Sequence, residues 1–135
     1  MSAVQYASVA AARANLKRLL DAAAKGDPSH LRRDEQQLAI VDGERLRHYL
    51  AALLPHAQIA HEAGSWWIYL PGTSISADGA TLNEALYEAV VALREYAADW
   101  SDHLSTAVNH AGNWGLVQLI ALSSDDQLAE WLSGR

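Results

Sequence analysis

The sequence contains no cysteine and no phenylalanine. The lack of cysteine excludes disulfide bonds and thiolate chemistry within this chain. No window contains the ~20 consecutive apolar residues that a transmembrane helix needs. The N-terminal residues also lack the basic start and apolar block of a signal peptide. We therefore expect a cytoplasmic protein with no membrane partner.

Sequence motifs for catalysis, phosphate binding and metal binding are missing as well. The chain has no GxSxG, no GxxxxGK[ST] and no GxGxxG segment. His56 and His61 are five positions apart, and His103 and His110 are seven apart, so neither pair has the spacing of a compact helical ligand pair. We expect no catalytic residues, no metal and no cofactor, and we predict that the protein is not an enzyme.

The charges that are present are divided unevenly along the 135 residues. Residues 1–50 contain eight basic and six acidic residues, whereas residues 51–135 contain two basic and ten acidic ones. The two parts therefore carry about +2 and −8, which together give the net charge of −6. All five tryptophans lie at or after Trp66. This asymmetry indicates two different functions in one chain.

The first part of the chain has the pattern of a small βαββα unit. Apolar residues at three-four spacing predict a helix over 9–25, which Ser8 caps and Gly26 ends. A turn near Asp34 separates two short strands, and a second helix follows. The predicted elements are a strand at Val4–Tyr6, a helix over 9–25, strands at Ser29–Arg33 and 37–41, and a helix over 43–54.

The second part begins again with strands at Gln58–Glu62 and Trp66–Leu70, which a loop over 71–80 follows, and predicts a ββαβα order. Thr81 and Glu84 fit a capping box at the start of a long amphipathic helix, and Ser124 fits the cap of a final helix that extends to Trp131. The apolar run over 115–122 is interpreted as a buried strand. The expected fold is α+β, with domains over residues 1–55 and 56–135. Units this small are marginal alone, so a homodimer or a higher even-numbered oligomer is expected.

Two sets of side chains are candidates for binding. Arg13 and Lys17 lie one turn apart on the first helix, and Arg32 and Arg33 follow each other on a strand. Composition alone favours a solvated basic face over a DNA-binding surface. Trp66 and Trp67 lie side by side on a strand, so they point to opposite faces. One of them can enter the core while the other faces solvent or a partner, and core packing explains both residues about equally well.

The first 54 residues resemble the N-terminal domain of the Phd/YefM antitoxins. The segment Ala12-Arg13-Ala14-Asn15-Leu16 matches the A-R-x-N-L pattern of that family, and Leu38-Ala39-Ile40-Val41-Asp42 stands at its A-V-I-V-S strand. His30-Leu31-Arg32-Arg33 lies at its arginine strand, Tyr49 fits its helix tyrosine, and Asp34 replaces its turn glycine. The resemblance covers residues 3–54. It implies a homodimer that binds operator DNA, with Arg13 and Arg32 at positions that the family uses on DNA. Arg33 and Lys17 are added from charge alone.

Residues 57–97 are similar to the HicB antitoxin core, in which two strands precede a G-x-T-x-x-E-A-L helix. Gly79, Thr81, Glu84, Ala85 and Leu86 carry this match. Both resemblances imply the antitoxin of a type II toxin–antitoxin pair, which would neutralise a toxin by direct binding and repress its own operon as a dimer on operator DNA. The toxin class stays open between RelE-like, Doc-like and PIN-domain proteins. The predicted toxin-binding residues are Trp66, Trp67, Tyr69 and Trp100.

Two other functions remain open from the sequence. One is a stand-alone dimeric transcriptional regulator, in which the second part serves dimerisation or ligand sensing. The other is a protein-interaction adaptor without a toxin partner, which the net acidity favours.

Overall fold

The computed structural model describes residues 4–134. The chain divides into two compact units, Met1–Leu46 and Arg47–Arg135. The division falls inside one helix, α3 (Gly43–Leu53). The predicted boundary between residues 55 and 56 instead places the whole of α3 in the first domain.

The first unit is a three-stranded sheet with two short helices in the connection between its first two strands. The strand order is β1-β2-β3, with β1 parallel to β2 and β3 antiparallel to it. The buried Ser29 hydroxyl donates a hydrogen bond to the Leu19 carbonyl at 3.1 Å and so joins a helix to the sheet. The elements are β1 (Val4–Tyr6), α1 (Val9–Ala14), α2 (Leu16–Lys25), β2 (Ser29–Arg33) and β3 (Gln36–Ala39), followed by the start of α3.

The predicted single helix over 9–25 is wrong, because the helix breaks at Asn15. This residue has φ −122° and ψ 27°, and its side-chain amide donates to the Ala11 carbonyl at 2.9 Å. An asparagine side chain that bonds to the preceding turn competes with the regular helical ladder. The predicted cap at Ser8 is confirmed, since its hydroxyl accepts from the Ala11 amide at 3.1 Å.

The β2–β3 hairpin turns through Asp34, the residue that replaces the turn glycine. Asp34 has φ 54°, in the left-handed region. Aspartate and asparagine enter this region more readily than most residues with a side chain. The glycine can therefore be absent without loss of the turn.

The second unit packs three helices with an antiparallel sheet of strand order β4-β5-β6. The largest fully buried side chains include Ile68 of the sheet, Leu86 and Leu93 of the long helix, and Leu119 and Leu128 of the last two helices. The elements are β4 (Gln58–Glu62), β5 (Ser65–Tyr69), β6 (Ser76–Gly79), α4 (Leu82–Asp99), α5 (Trp114–Leu122) and α6 (Asp125–Ser133), with a π-helical turn at Trp100–Leu104 and a 3-10 turn at Ala111–Asn113.

Residues 115–122 form the helix α5, so the predicted buried strand is wrong. The buried residues Leu116, Leu119 and Ile120 have the three-four spacing of a helix. A short apolar run does not distinguish a buried strand from a buried helix by periodicity alone. The third strand of the sheet is instead β6, in a segment that was interpreted as a loop. The order of the second unit is therefore βββααα in place of ββαβα.

Polar side chains fix the ends of the helices in this unit. Thr81 accepts from the Glu84 amide at 3.1 Å, as predicted, but the Glu84 carboxylate accepts from Ala80 in place of Thr81. Ser124 and Gln127 form a complete capping box. Arg94 of α4 donates to the Ile120 and Ser123 carbonyls at 2.7 and 2.8 Å, which satisfies the C-terminal end of α5.

The mixed α+β class that was predicted is confirmed. In residues 4–134, none of the helices combines the length and the apolar character that a membrane crossing requires.

Candidate functional site

Two surfaces, one in each unit, contain the residues that were predicted to bind partners. In the first unit, Arg32 and Arg33 lie at the end of β2 with exposed side chains. They pair with Gln37 and Gln36 of β3, and consecutive residues of a strand point to opposite faces. The Arg33 guanidinium donates to the Gln36 side chain at 2.7 Å. Arg32 makes no such contact within the described residues.

The two predicted cations on the helices, Arg13 and Lys17, lie on either side of the break at Asn15. Arg13 lies in the last turn of α1 and Lys17 in the first turn of α2, and both are exposed. The Lys17 ammonium pairs with the Asp21 carboxylate at 2.7 Å, and this hydrogen bond raises the pKa of Lys17 above 10.5. Arg13 has no ion pair within residues 4–134. Among the four cations that were predicted to bind DNA, Arg13 and Arg32 are therefore the two whose charged groups have no side-chain partner within the described residues.

Apolar side chains are also exposed in the first unit. Within residues 4–46, the buried apolar residues are Ala12, Leu19, Ala22 and Ala23. All four residues of β3, an edge strand, are exposed. The large apolar side chains that face solvent are Val9, Leu16, Leu20, Leu38 and Val41, which are between 40% and 54% exposed. In the described part of the first unit, five large apolar side chains are therefore partly exposed to solvent.

In the second unit, the structure separates the predicted aromatic residues. Trp67 and Tyr69 lie on the same face of β5 and are 50% and 45% exposed. Trp66 lies on the opposite face, where its ring stacks on His61 with centroids 4.3 Å apart. Trp100 lies in the π-helical turn, and its indole donates to the His110 carbonyl at 2.8 Å. Trp67 and Tyr69 are thus brought together, whereas Trp66 and Trp100 lie elsewhere.

The face that carries Trp67 and Tyr69 is called the outer sheet face below. The register places Ala60 and Asp78 on either side of Trp67, and Ser76 beside Tyr69. These neighbours are exposed. Its members are Gln58, Ala60 and Glu62 of β4, Ser65, Trp67 and Tyr69 of β5, and Ser76 and Asp78 of β6.

The sequence did not single out Asp78 as a binding residue, because β6 was not recognised as a strand. The signal was an alternation of apolar and polar residues, with Ile75 and Ala77 partly or fully buried and Ser76 and Asp78 exposed. Aspartate and glycine are depleted in strands, which hides this pattern.

A cavity of about 380 Å³ beside Tyr69 was also missed. It is lined in part by Tyr96, His110 and Asn113. The Tyr96 hydroxyl lies 2.9 Å from His110 Nδ1 and accepts from the Asn113 amide at 2.8 Å. These contacts hold the segment between α4 and α5 against α4. The protein's own side chains therefore account for the position of this segment.

The histidine and carboxylate side chains do not form a metal centre in the described part of the chain. No group of three or more histidine, aspartate or glutamate side chains could hold a metal ion there. His103 contacts Asp102 at 3.1 Å, and His61 stacks on Trp66.

Comparison with known proteins identifies a solved structure with a similar fold. No protein-family model and no curated protein matches the chain. A crystal structure from Syntrophomonas wolfei subsp. wolfei, described as the antitoxin part of a proposed toxin/antitoxin system, is similar with a TM-score of 0.77 and 20% sequence identity. The match covers 95% of this chain and 96% of that chain. The two proteins therefore share a fold over nearly their whole lengths.

Proposed function

We propose that this protein is the antitoxin of a type II toxin–antitoxin system. It binds a toxin directly through the second unit and represses its operon by binding operator DNA as a dimer through the first unit. The observation that carries the proposal is the fold match over 95% of the chain with a protein described as an antitoxin. The two sequence resemblances, to Phd/YefM and to HicB antitoxins, support the same function from different parts of the chain.

The exposed apolar surface of the first unit supports dimerisation. Leu16 and Leu20 lie one turn apart on α2, and Leu38 lies on the edge strand β3. Burying such side chains stabilises an interface by ~25 cal/mol per Å² of apolar surface removed from water. In a symmetric dimer the same patch covers its own copy.

The available guanidinium groups of Arg13 and Arg32 support DNA binding. A single first unit has few cations, and Lys17 is already paired with Asp21. A dimer presents each cation twice, and each phosphate contact releases counterions that favour binding. The order of strands and helices in the unit also agrees with the strand, helix, hairpin and helix that the Phd/YefM resemblance implies.

The second unit supports toxin binding by its charge and its exposed aromatic residues. Residues 47–135 contain ten acidic and three basic residues. Such a surface attracts a basic partner and repels nucleic acid. Exposed tryptophan and tyrosine are typical of binding hot spots. The protein would act by covering the toxin, with no chemistry of its own.

The proposal is tested in cells by expressing the reading frame beside this gene, alone and together with the protein. We expect the neighbouring reading frame alone to arrest growth, and co-expression of the intact protein to relieve this arrest. As a control, the double variant Arg13→Ala with Arg32→Ala removes the proposed DNA contacts and is expected to relieve the arrest as the intact protein does. No arrest, or arrest that the intact protein does not relieve, would overturn the antitoxin function.

A further inference from the structure

The outer sheet face combines exposed aromatic rings with carboxylates. Trp67 is on the central strand of the sheet, between Ala60 and Asp78 in the register. The central strand β5 is hydrogen-bonded to β4 on one edge and to β6 on the other, so its outward side chains lie in the middle of the face. Trp67 and Tyr69 are nevertheless about half exposed.

The other face of the same sheet is covered. Ile68 points to that side and is 2% exposed, and Gly79 lies against the first turn of α4. Trp67 and Tyr69 lie on the opposite face, away from this covered side. Aromatic side chains that remain half exposed in the middle of a face are typical of a binding surface.

The charge on this face has one sign. The strands β4, β5 and β6 contain no lysine and no arginine. Asp78 and Glu62 are exposed, and within residues 4–134 neither has a cationic partner. A partner that covers this face must supply the positive charge, because a buried carboxylate without a partner is costly.

We propose that the outer sheet face is a receptor for an arginine side chain of the partner protein, whose guanidinium lies over the Trp67 indole and pairs with Asp78. Directly opposite residues of neighbouring strands have Cβ atoms ~5 Å apart, so one planar guanidinium reaches both groups. Arginine is favoured over lysine because it stacks on an aromatic ring and bonds a carboxylate with two N–H groups. This inference rests on the proposed function, in which the partner is the toxin.

The chemistry of the face argues against the other occupants. A second copy of this chain would bring its own Asp78 and Glu62 against the same carboxylates, and like charges across an interface are unfavourable. Nucleic acid would meet the same repulsion. A cationic protein segment meets neither cost.

The first test uses two peptides, octa-arginine and octa-lysine, with the full-length protein labelled with ¹⁵N. The indole N–H signal of Trp67 is assigned by its loss in Trp67→Phe. Octa-arginine is expected to shift this signal at a lower concentration than octa-lysine, while the signals of Trp66 and Trp100 move less. An unmoved Trp67 signal, or equal response to both peptides, would overturn the inference.

A matched pair of variants separates the site from general charge. Asp78→Asn and Glu88→Gln each remove one exposed carboxylate, the first on the outer sheet face and the second on α4. Asp78→Asn is expected to weaken octa-arginine binding about fivefold, as the loss of one ion pair does, and Glu88→Gln by less than about twofold. If both variants weaken octa-arginine binding equally, the peptide responds only to the net charge of the protein, and the inference is overturned.

The cellular partner separates this inference from the proposed function. If the product of the neighbouring reading frame binds the parent protein, the double variant Trp67→Ala with Asp78→Asn is expected to bind it at least about tenfold more weakly. Unchanged binding would contradict the receptor face and leave the antitoxin function standing. If that product does not bind the parent, the antitoxin function fails, and the peptide measurements still decide whether the face recognises arginine.

Discussion

Gly79 lies so close to Ala85 that a Cβ atom on Gly79 would be 2.6 Å from the Ala85 amide nitrogen. It would also be 2.8 Å from the Cβ of Glu84. The last residue of β6 and the first turn of α4 are thus in direct contact through their backbones. This contact explains why a glycine precedes the capped helix in the segment that resembles HicB.

Gly79→Ala is therefore expected to destabilise the protein by about 1–3 kcal/mol, because the added methyl group meets backbone atoms that cannot move aside. Chemical denaturation followed by tryptophan fluorescence measures the change. Gly112→Ala is the matched control, since a Cβ there would have no neighbour within 4 Å. Equal stability of the Gly79→Ala protein and the parent would show that the two elements are less closely packed than described.

The β4–β5 hairpin offers a stabilising substitution. Ala63 and Gly64 form its turn with φ 52° and 80°. Alanine in the left-handed region is strained, whereas asparagine enters it readily. Ala63→Asn is expected to raise the free energy of unfolding by about 0.5–1 kcal/mol, measured by denaturation. The same substitution at Ala60, within β4, should give no gain; a gain at Ala60 and none at Ala63 would contradict this explanation.

Local signals in the sequence predicted the fold well where one residue decides the structure. Ser8, Thr81 and Ser124 were identified as helix caps, and each accepts a hydrogen bond from an early backbone amide. The hairpin strands of both sheets were also placed correctly, apart from their ends. In these cases the side chain and the backbone group that it satisfies are only a few residues apart.

The break at Asn15 is a local feature that the apolar pattern does not reveal. The errors in the second unit arose where distant residues decide the structure. The segment 115–122 forms a helix because its apolar side chains pack on α4, and β6 forms because β5 offers it an unpaired edge. Neither partner is visible from the local pattern. For the binding surfaces, the sequence named Trp67 and Tyr69, but the neighbour Asp78 depends on a register that only the folded sheet defines.

The DNA-binding proposal predicts unequal effects for the cations of the first unit. Arg13→Ala and Arg32→Ala are expected to weaken binding to the DNA upstream of the gene, by ~1–3 kcal/mol each where a base edge is read. Lys25→Ala, at the far end of α2, removes one charge as a control and should change binding less. Fluorescence anisotropy at two salt concentrations makes the comparison. If Arg13→Ala and Arg32→Ala bind this DNA like the parent, the proposed surface is misplaced.

The dimer proposal predicts that charge in the apolar patch of the first unit separates the subunits. Leu20 and Leu38 are 50% and 40% exposed, and the double variant with glutamate at both positions is expected to be monomeric. Light scattering after gel filtration measures the mass. Val108→Glu, at a residue that is 94% exposed in the second unit, should leave the dimer intact. A parent protein that is itself monomeric would contradict the dimer.

The central claim, that the protein is an antitoxin, is tested most directly by titrating the purified protein with the purified product of the adjacent reading frame in a calorimeter. The account predicts a stoichiometric complex with a dissociation constant below about 1 μM, equivalent to ~8 kcal/mol of binding free energy. No heat of binding, together with intact binding to the upstream DNA, would contradict it and identify a stand-alone repressor instead.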